Sequence, residues 1–141
     1  MSTWRRKAIA LFPELFAELE DYDNPRHEFF SRLGMAAVDA HKVQDQEALR
    51  RIHGFAEWSL HQGEELWKDA ALGFYEDVFA LVPWGDVVPW LSPYVIEQIK
   101  KTWALGLQGE RVKEFDALVS KRGRKAPYQT HAFSTGEIED L

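Results

Sequence analysis

Apolar residues in this chain recur at intervals of three and four, and strict two-residue alternation is nearly absent. No other feature narrows the fold so much. An α-helix turns about 100° per residue, so such intervals align apolar side chains on one face, whereas a half-buried strand needs alternation. Trp4, Ala8, Leu11, Phe12, Leu15, Phe16 and Leu19 form the first stripe. Pro13 falls inside it, lacks an N–H and clashes with the preceding turn. The stripe should therefore kink there, or restart with Pro13 in the first turn of a fresh helix.

Asn24-Pro25 reads as an N-cap followed by an N1 proline. The helix after it is expected to reach about Val43 and to present Phe29, Phe30, Leu33, Ala36, Ala37 and Ala40, with Gly34 and the alanines admitting a close neighbour. Asp45 is the next cap candidate. A third helix, Gln46 to His61, carries Leu49, Ile52, Phe55, Ala56 and Leu60 on one face, and Gly63 stands in the following turn as a C′ residue. A fourth, from Glu64 or Glu65 to about Val82, is apolar over so wide an arc that a central position is expected.

Pro83, Gly85, Pro89 and Pro93 then punctuate the chain. "DVV" there has no partner strand in view and reads as a turn with a short helical piece. Ser92-Pro93 repeats the cap-plus-proline pattern ahead of a helix showing Val95, Ile96, Ile99 and Trp103, and a last helix runs from about Glu110 to Ser120. The expected fold is all-α: one domain over residues 1–120, an irregular antiparallel bundle of six to seven helices. Residues 121–141 lose the periodicity and read as a poorly ordered tail.

Composition removes several functions. The chain of 141 residues has no cysteine, which excludes disulfides and thiolate metal sites and suits a reducing compartment. No segment approaches the roughly 20 apolar residues of a membrane span, so a cytoplasmic protein with no membrane partner is expected. A formal net charge of −6 argues against a nucleic-acid partner, since phosphate binding relies on clustered Lys and Arg. The basic run "KRGRK", Lys121 to Lys125, reads as a helix end offsetting the macrodipole.

Within "RIHGFAEWSLH", His53, Glu57 and His61 stand at successive four-residue steps. One such step can place two metal ligands side by side on a helix. Over two steps the residues drift round the helix, and His53 and His61 are about 12 Å apart by axial rise, too far to chelate one ion. One pair could act with ligands from elsewhere, as a metal site or as acid and base. The alternative is a wet helix edge, with His53 at the core boundary and Glu57 and His61 solvated. His27 and His41 read as isolated on another helix. With no cofactor motif, no Gly-x-Ser-x-Gly and no glycine-rich phosphate cradle, no cofactor and no catalytic residue are assigned. Glu64-Glu65 and Glu76-Asp77 read as solvated helix residues.

The six tryptophans carry more information. Trp67 and Trp103 fit core faces. Trp58 falls about 180° from Leu49, on the outer side of its helix, and Trp84 and Trp90 flank the proline-rich turn. Large surface aromatics often mark partner sites, so Trp58, Trp84 and Trp90 are candidate partner-binding residues. The competing reading packs Trp58 under a neighbour and uses Trp84 and Trp90 to plug the bundle end.

Phe12-Pro13-Glu14-Leu15, "IHGFAEW", "FYEDV" and "LSP" together resemble a family of small bacterial all-helical domains of unknown function, over about residues 11–118. Some members of that family resemble immunity proteins. The resemblance implies a non-enzymatic helical module that binds a toxin domain, and it brings no catalytic or metal-binding residues. The acidic balance would suit a basic target. Two other readings stand beside it: a metal-dependent or acid–base enzyme using His53, Glu57 or His61, and a scaffold domain that pairs with itself.

Overall fold

The computed structural model describes residues 3–16, 25–103 and 109–121. Helix α1 (Thr3–Leu11) closes with Phe12 N–H donating to the Ala8 carbonyl at 2.8 Å. Pro13 then opens a short 3₁₀ turn, Pro13–Phe16. Of the two outcomes expected at this proline, the fresh start is the one observed.

Helix α2 (Pro25–Val43) begins at its proline, as the cap pattern predicts. It ends at Val43, where the pattern places it, but through a closure the pattern did not name. Gln44 takes φ +55°, its N–H reaches the His41 carbonyl at 3.3 Å, and Asp45 N–H reaches the Ala40 carbonyl at 3.0 Å. This is a Schellman closure with glutamine at the left-handed position where glycine is usual. Asp45 also opens helix α3 (Gln46–Leu60), its carboxylate accepting from Ala48 N–H at 3.2 Å. One residue thus closes α2 and caps α3, which holds the two helices at a tight corner.

Gly63, at φ +114°, lets the chain reverse into a long rod. The rod comprises α4 (Glu64–Lys68), a π-helical stretch (Asp69–Tyr75) and α5 (Glu76–Leu81). The wide turn brings the consecutive residues Gly73, Phe74 and Tyr75 inward together. Helix α2 crosses this rod where two glycines meet it. A Cβ on Gly73 would lie 3.2 Å from the Phe30 Cβ, and one on Gly34 would lie 3.5 Å from the Asp77 Cβ. The close neighbour expected at Gly34 is this rod.

The proline-punctuated stretch is helical, as α6 (Trp84–Val87) and a 3₁₀ turn (Val88–Trp90). Ser92 caps α7 (Pro93–Trp103), its hydroxyl accepting from Val95 N–H at 3.2 Å. Helix α8 (Gly109–Lys121) seats the buried Phe115 against Phe79 and Trp84. The architecture is all-α and forms one domain, with no strand among the described residues. Among those residues no helix is long and apolar enough to cross a membrane. The tail expected beyond residue 121, and with it most of the basic run, lies outside the described residues.

The rod packs against α2, α3, α6 and α7, the inner position expected of the fourth helix, though it exposes Leu72 and Leu81, at 51% and 56%. The encased element is α3, in which every residue from Ile52 to Leu60 is buried. Its one apolar face, clear in sequence, did not anticipate neighbours on the other sides. Phe55 sits amid Phe12, Phe29, Phe30 and Trp58, with ring centroids 5.5–6.1 Å away. Burying such a ring contributes roughly 2–3 kcal/mol before ring–ring geometry adds its share.

Candidate functional site

Encasing α3 changes the meaning of its polar residues. A buried polar group costs free energy unless it is paired, so His53, Glu57 and Ser59 must each find a partner. Ser59 donates back along the helix to the Phe55 carbonyl at 2.9 Å. The other two are satisfied by different helices.

His53 is fully buried rather than at the core boundary. Its Nε2 lies 3.0 Å from Nε2 of His41, itself only 8% exposed. The ring centroids are 5.2 Å apart, so the two nitrogens occupy facing edges. Trp90 stacks on His53 at 5.7 Å and Phe74 meets it edge-on at 5.8 Å. One proton joins the two imidazoles. Were His41 the donor, His53 would keep its own proton on Nδ1, which is buried without a hydrogen-bond partner. A buried orphan N–H is worse tolerated than an orphan lone pair, so we assign His53 as the donor. Burial pushes the His53 pKa down to about 3, with His41 adding to the shift. Burial also lowers that of His41, against an opposing pull from Asp86. Both rings are therefore neutral near pH 7 and form an internal bond between α2 and α3.

Glu57 is 5% exposed, not solvated. One carboxylate oxygen accepts the Ser92 hydroxyl, and the other faces His61 Nε2 at 3.6 Å. The His61 side chain is 40% exposed and lies flat on Tyr94, with centroids 3.9 Å apart. Tyr94 in turn donates to the Leu60 carbonyl at 3.3 Å. Hydroxyl, carboxylate and imidazole are all present, but in the wrong order for acyl transfer. There the imidazole must stand between hydroxyl and carboxylate. Here the carboxylate is in the middle, and Ser92 already serves as the α7 cap. The arrangement clamps the start of α7 onto α3.

The four-residue stripe is thus divided among α2, the Ser92 cap and α7, and does not converge on one point. Among the described residues no group of three or more His, Asp or Glu could hold a metal ion. His41, which reads as isolated in sequence, is the true partner of His53. The signal available was weak: Leu33, Ala37 and His41 follow one another at four-residue steps on the buried face of α2.

The three candidate partner-binding tryptophans are placed in the interior. Trp58, Trp84 and Trp90 are 2%, 5% and 6% exposed. Trp84 packs against Phe79 and Phe115 with centroids at 5.1 Å, and Trp90 covers His53. Both rings are taken up in the core, so the expectation of surface aromatics there is corrected. Trp58 is correctly placed opposite Leu49, but that side of α3 is covered by α1, whose Lys7 holds its ammonium 5.0 Å from the Trp58 ring. The side chain of Trp103 lies outside the description, and Trp67 is half-buried, donating to Gln98 at 3.0 Å.

Trp58 nevertheless reaches one concave surface. An open cleft of about 400 Å³ is lined by Trp4, Arg26, Trp58, Gln62, Glu64 and Glu65, among others. Helices α1, α2, α3 and α4 each contribute, which is why no local pattern announced it. Arg26 is held in place by Asp69 at its Nε and by Glu65 at Nη2, 3.0 Å away. Its positive charge is therefore already matched within the cleft wall.

Comparison with known proteins finds no matching family model, no matching curated protein and no matching solved structure.

Proposed function

We propose that this chain is a non-enzymatic helical module that binds a protein partner, and that the partner seats in the cleft between Trp4 and Trp58. The observation that carries this reading is the cleft itself. Its volume lies within the range of small ligand and side-chain pockets, and it sets the half-buried Trp4 beside the polar side chains of Arg26, Gln62, Glu64 and Glu65. In its sharper form the partner is a toxin domain, as the family resemblance implies, and the module works in the cytoplasm of a bacterium. The cysteine-free composition suits that compartment.

The test must avoid deleting Trp58, because truncating a buried tryptophan costs about 3–5 kcal/mol and would unfold much of the protein. Gln62 is exposed and lines the cleft, so Gln62→Trp fills the space from outside the core. Partners identified by affinity purification would be purified and titrated against both proteins. At least one should bind Gln62→Trp ten-fold or more weakly while the variant melts as the parent does. If every partner binds the two proteins equally, the cleft is not the site.

A further inference from the structure

We infer that this chain pairs with a second copy of itself, antiparallel, along the outward stripe of α2. At 100° per residue Glu28, Arg32, Met35, Asp39 and Lys42 fall within about 80° of one another, and their alternating steps of four and three are those of a coiled-coil seam. The rod and α3 pack on other sides of α2, through Phe30, Gly34 and His41, so this stripe faces outward. Asp39 and Lys42 are exposed, Met35 is 48% exposed, and Glu28 and Arg32 are partly so. On the rod side the contacts Phe30 to Gly73 and Gly34 to Asp77 advance four residues at a time, so the next step sets Val38 beside the exposed Leu81. Met35 and Leu81 therefore flank the groove where α2 meets α5, and both present apolar surface to water.

The order of the charges names the occupant. About a two-fold axis at Met35, an antiparallel copy brings Glu28 to the Lys42 of its mate, Arg32 to the Asp39 of its mate, and Met35 to Met35. Each contact is then repeated by symmetry, as an isologous interface requires. A parallel pair would instead set Glu28 against Glu28 and Lys42 against Lys42. The stripe is neutral, and Arg32 already holds Glu28 across one turn at 3.5 Å. Pairing needs no unmatched charge, because it adds a second opposite partner to each charge on the seam. Each copy carries a formal charge of −6, which opposes association through a bare apolar contact. Matched charges offset that repulsion locally and fix orientation and register. Arg26 lies about 180° from Met35 around α2, so the pair leaves the cleft open, and this inference stands or falls independently of it.

The experiment is sedimentation velocity on the full chain at concentrations up to about 200 µM. The parent should show a reversible monomer–dimer equilibrium. Asp39→Lys and Arg32→Glu each replace two matched contacts by two repulsive ones, so each variant alone should self-associate at least about ten-fold more weakly. Both positions are outside the core, and both variants should melt as the parent does. Mixed in equal amounts, the two variants should recover the dimer, because each then presents the charge that the other requires, and native mass spectrometry would identify the mixed species by its mass. A weakening caused by local disturbance of α2 would not be recovered on mixing. A parent that stays monomeric at the highest concentration, variants that dimerise as the parent does, or a mixture that associates no better than its components would each overturn the inference.

Discussion

Acidification offers a quantitative probe of the α2–α3 bond. In the folded protein His53 has a pKa of about 3, and in the unfolded chain it returns to its ordinary value of 6.5. Between these two values the unfolded chain binds the extra proton and the folded one does not. Stability must then fall as the pH drops below about 6.5, and this contribution levels off only near pH 3. The limiting slope is ~1.4 kcal/mol per pH unit for one proton. From pH 7 to pH 5 the loss attributable to His53 is about 2 kcal/mol. His41, also lowered, acts in the same direction. The assay is urea unfolding followed by circular dichroism at pH 7, 6 and 5, for the parent and for His53→Leu. Leucine nearly preserves volume and cannot titrate, and His41 is close enough to the surface to rehydrate. Exposed carboxylates titrate alike in both proteins, so they cancel in the difference. The parent should lose about 2 kcal/mol more than the variant over this range, or somewhat more if His41 is relieved as well. Parallel pH profiles, agreeing to within about 0.5 kcal/mol, would refute the assignment of a buried neutral imidazole pair.

Three further outcomes follow from the packing. Gln44→Gly should raise stability by up to about 1 kcal/mol in thermal or chemical melts, because a left-handed residue with a Cβ is strained where glycine is not; a loss would mean that the glutamine side chain contributes more than its backbone costs. Ser92→Ala should cost about 2 kcal/mol, through a lost cap and a lost hydrogen bond to the buried Glu57 carboxylate, with Ser92→Thr recovering most of it in the same melts. Phe55→Ala should cost about 4 kcal/mol, from the lost transfer free energy and the cavity left among four aromatic rings, and a cost below about 1 kcal/mol would contradict the central position of α3.

Local order was written locally. The proline at each helix start, the Asp45 and Ser92 caps and the reversal at Gly63 act within a few residues. Their effects therefore follow from backbone sterics and nearby hydrogen bonds, and the prolines and both caps stand where the pattern places them, while Gly63 opens α4 instead of closing α3 as a C′ residue. The all-α class follows for the same reason, since apolar periodicity reports which local geometry can align a buried face. The Schellman end at Gln44 escaped because its residue type is not the usual one for that geometry.

What tertiary structure alone decided is which sides of a helix are inside. A helical wheel identifies one apolar stripe but cannot count the neighbours that close round it. That number separates Glu57 at a wet edge from Glu57 clamping Ser92, and an outward Trp58 from one buried beneath Lys7. It also joined His41 to His53 and drew Trp4, Arg26, Trp58 and Glu65 to one cleft. Such contacts depend on chain closure over 12 residues or, for the cleft, over many more. Their stabilisation comes from desolvation, which exists only once all the surrounding helices are in place.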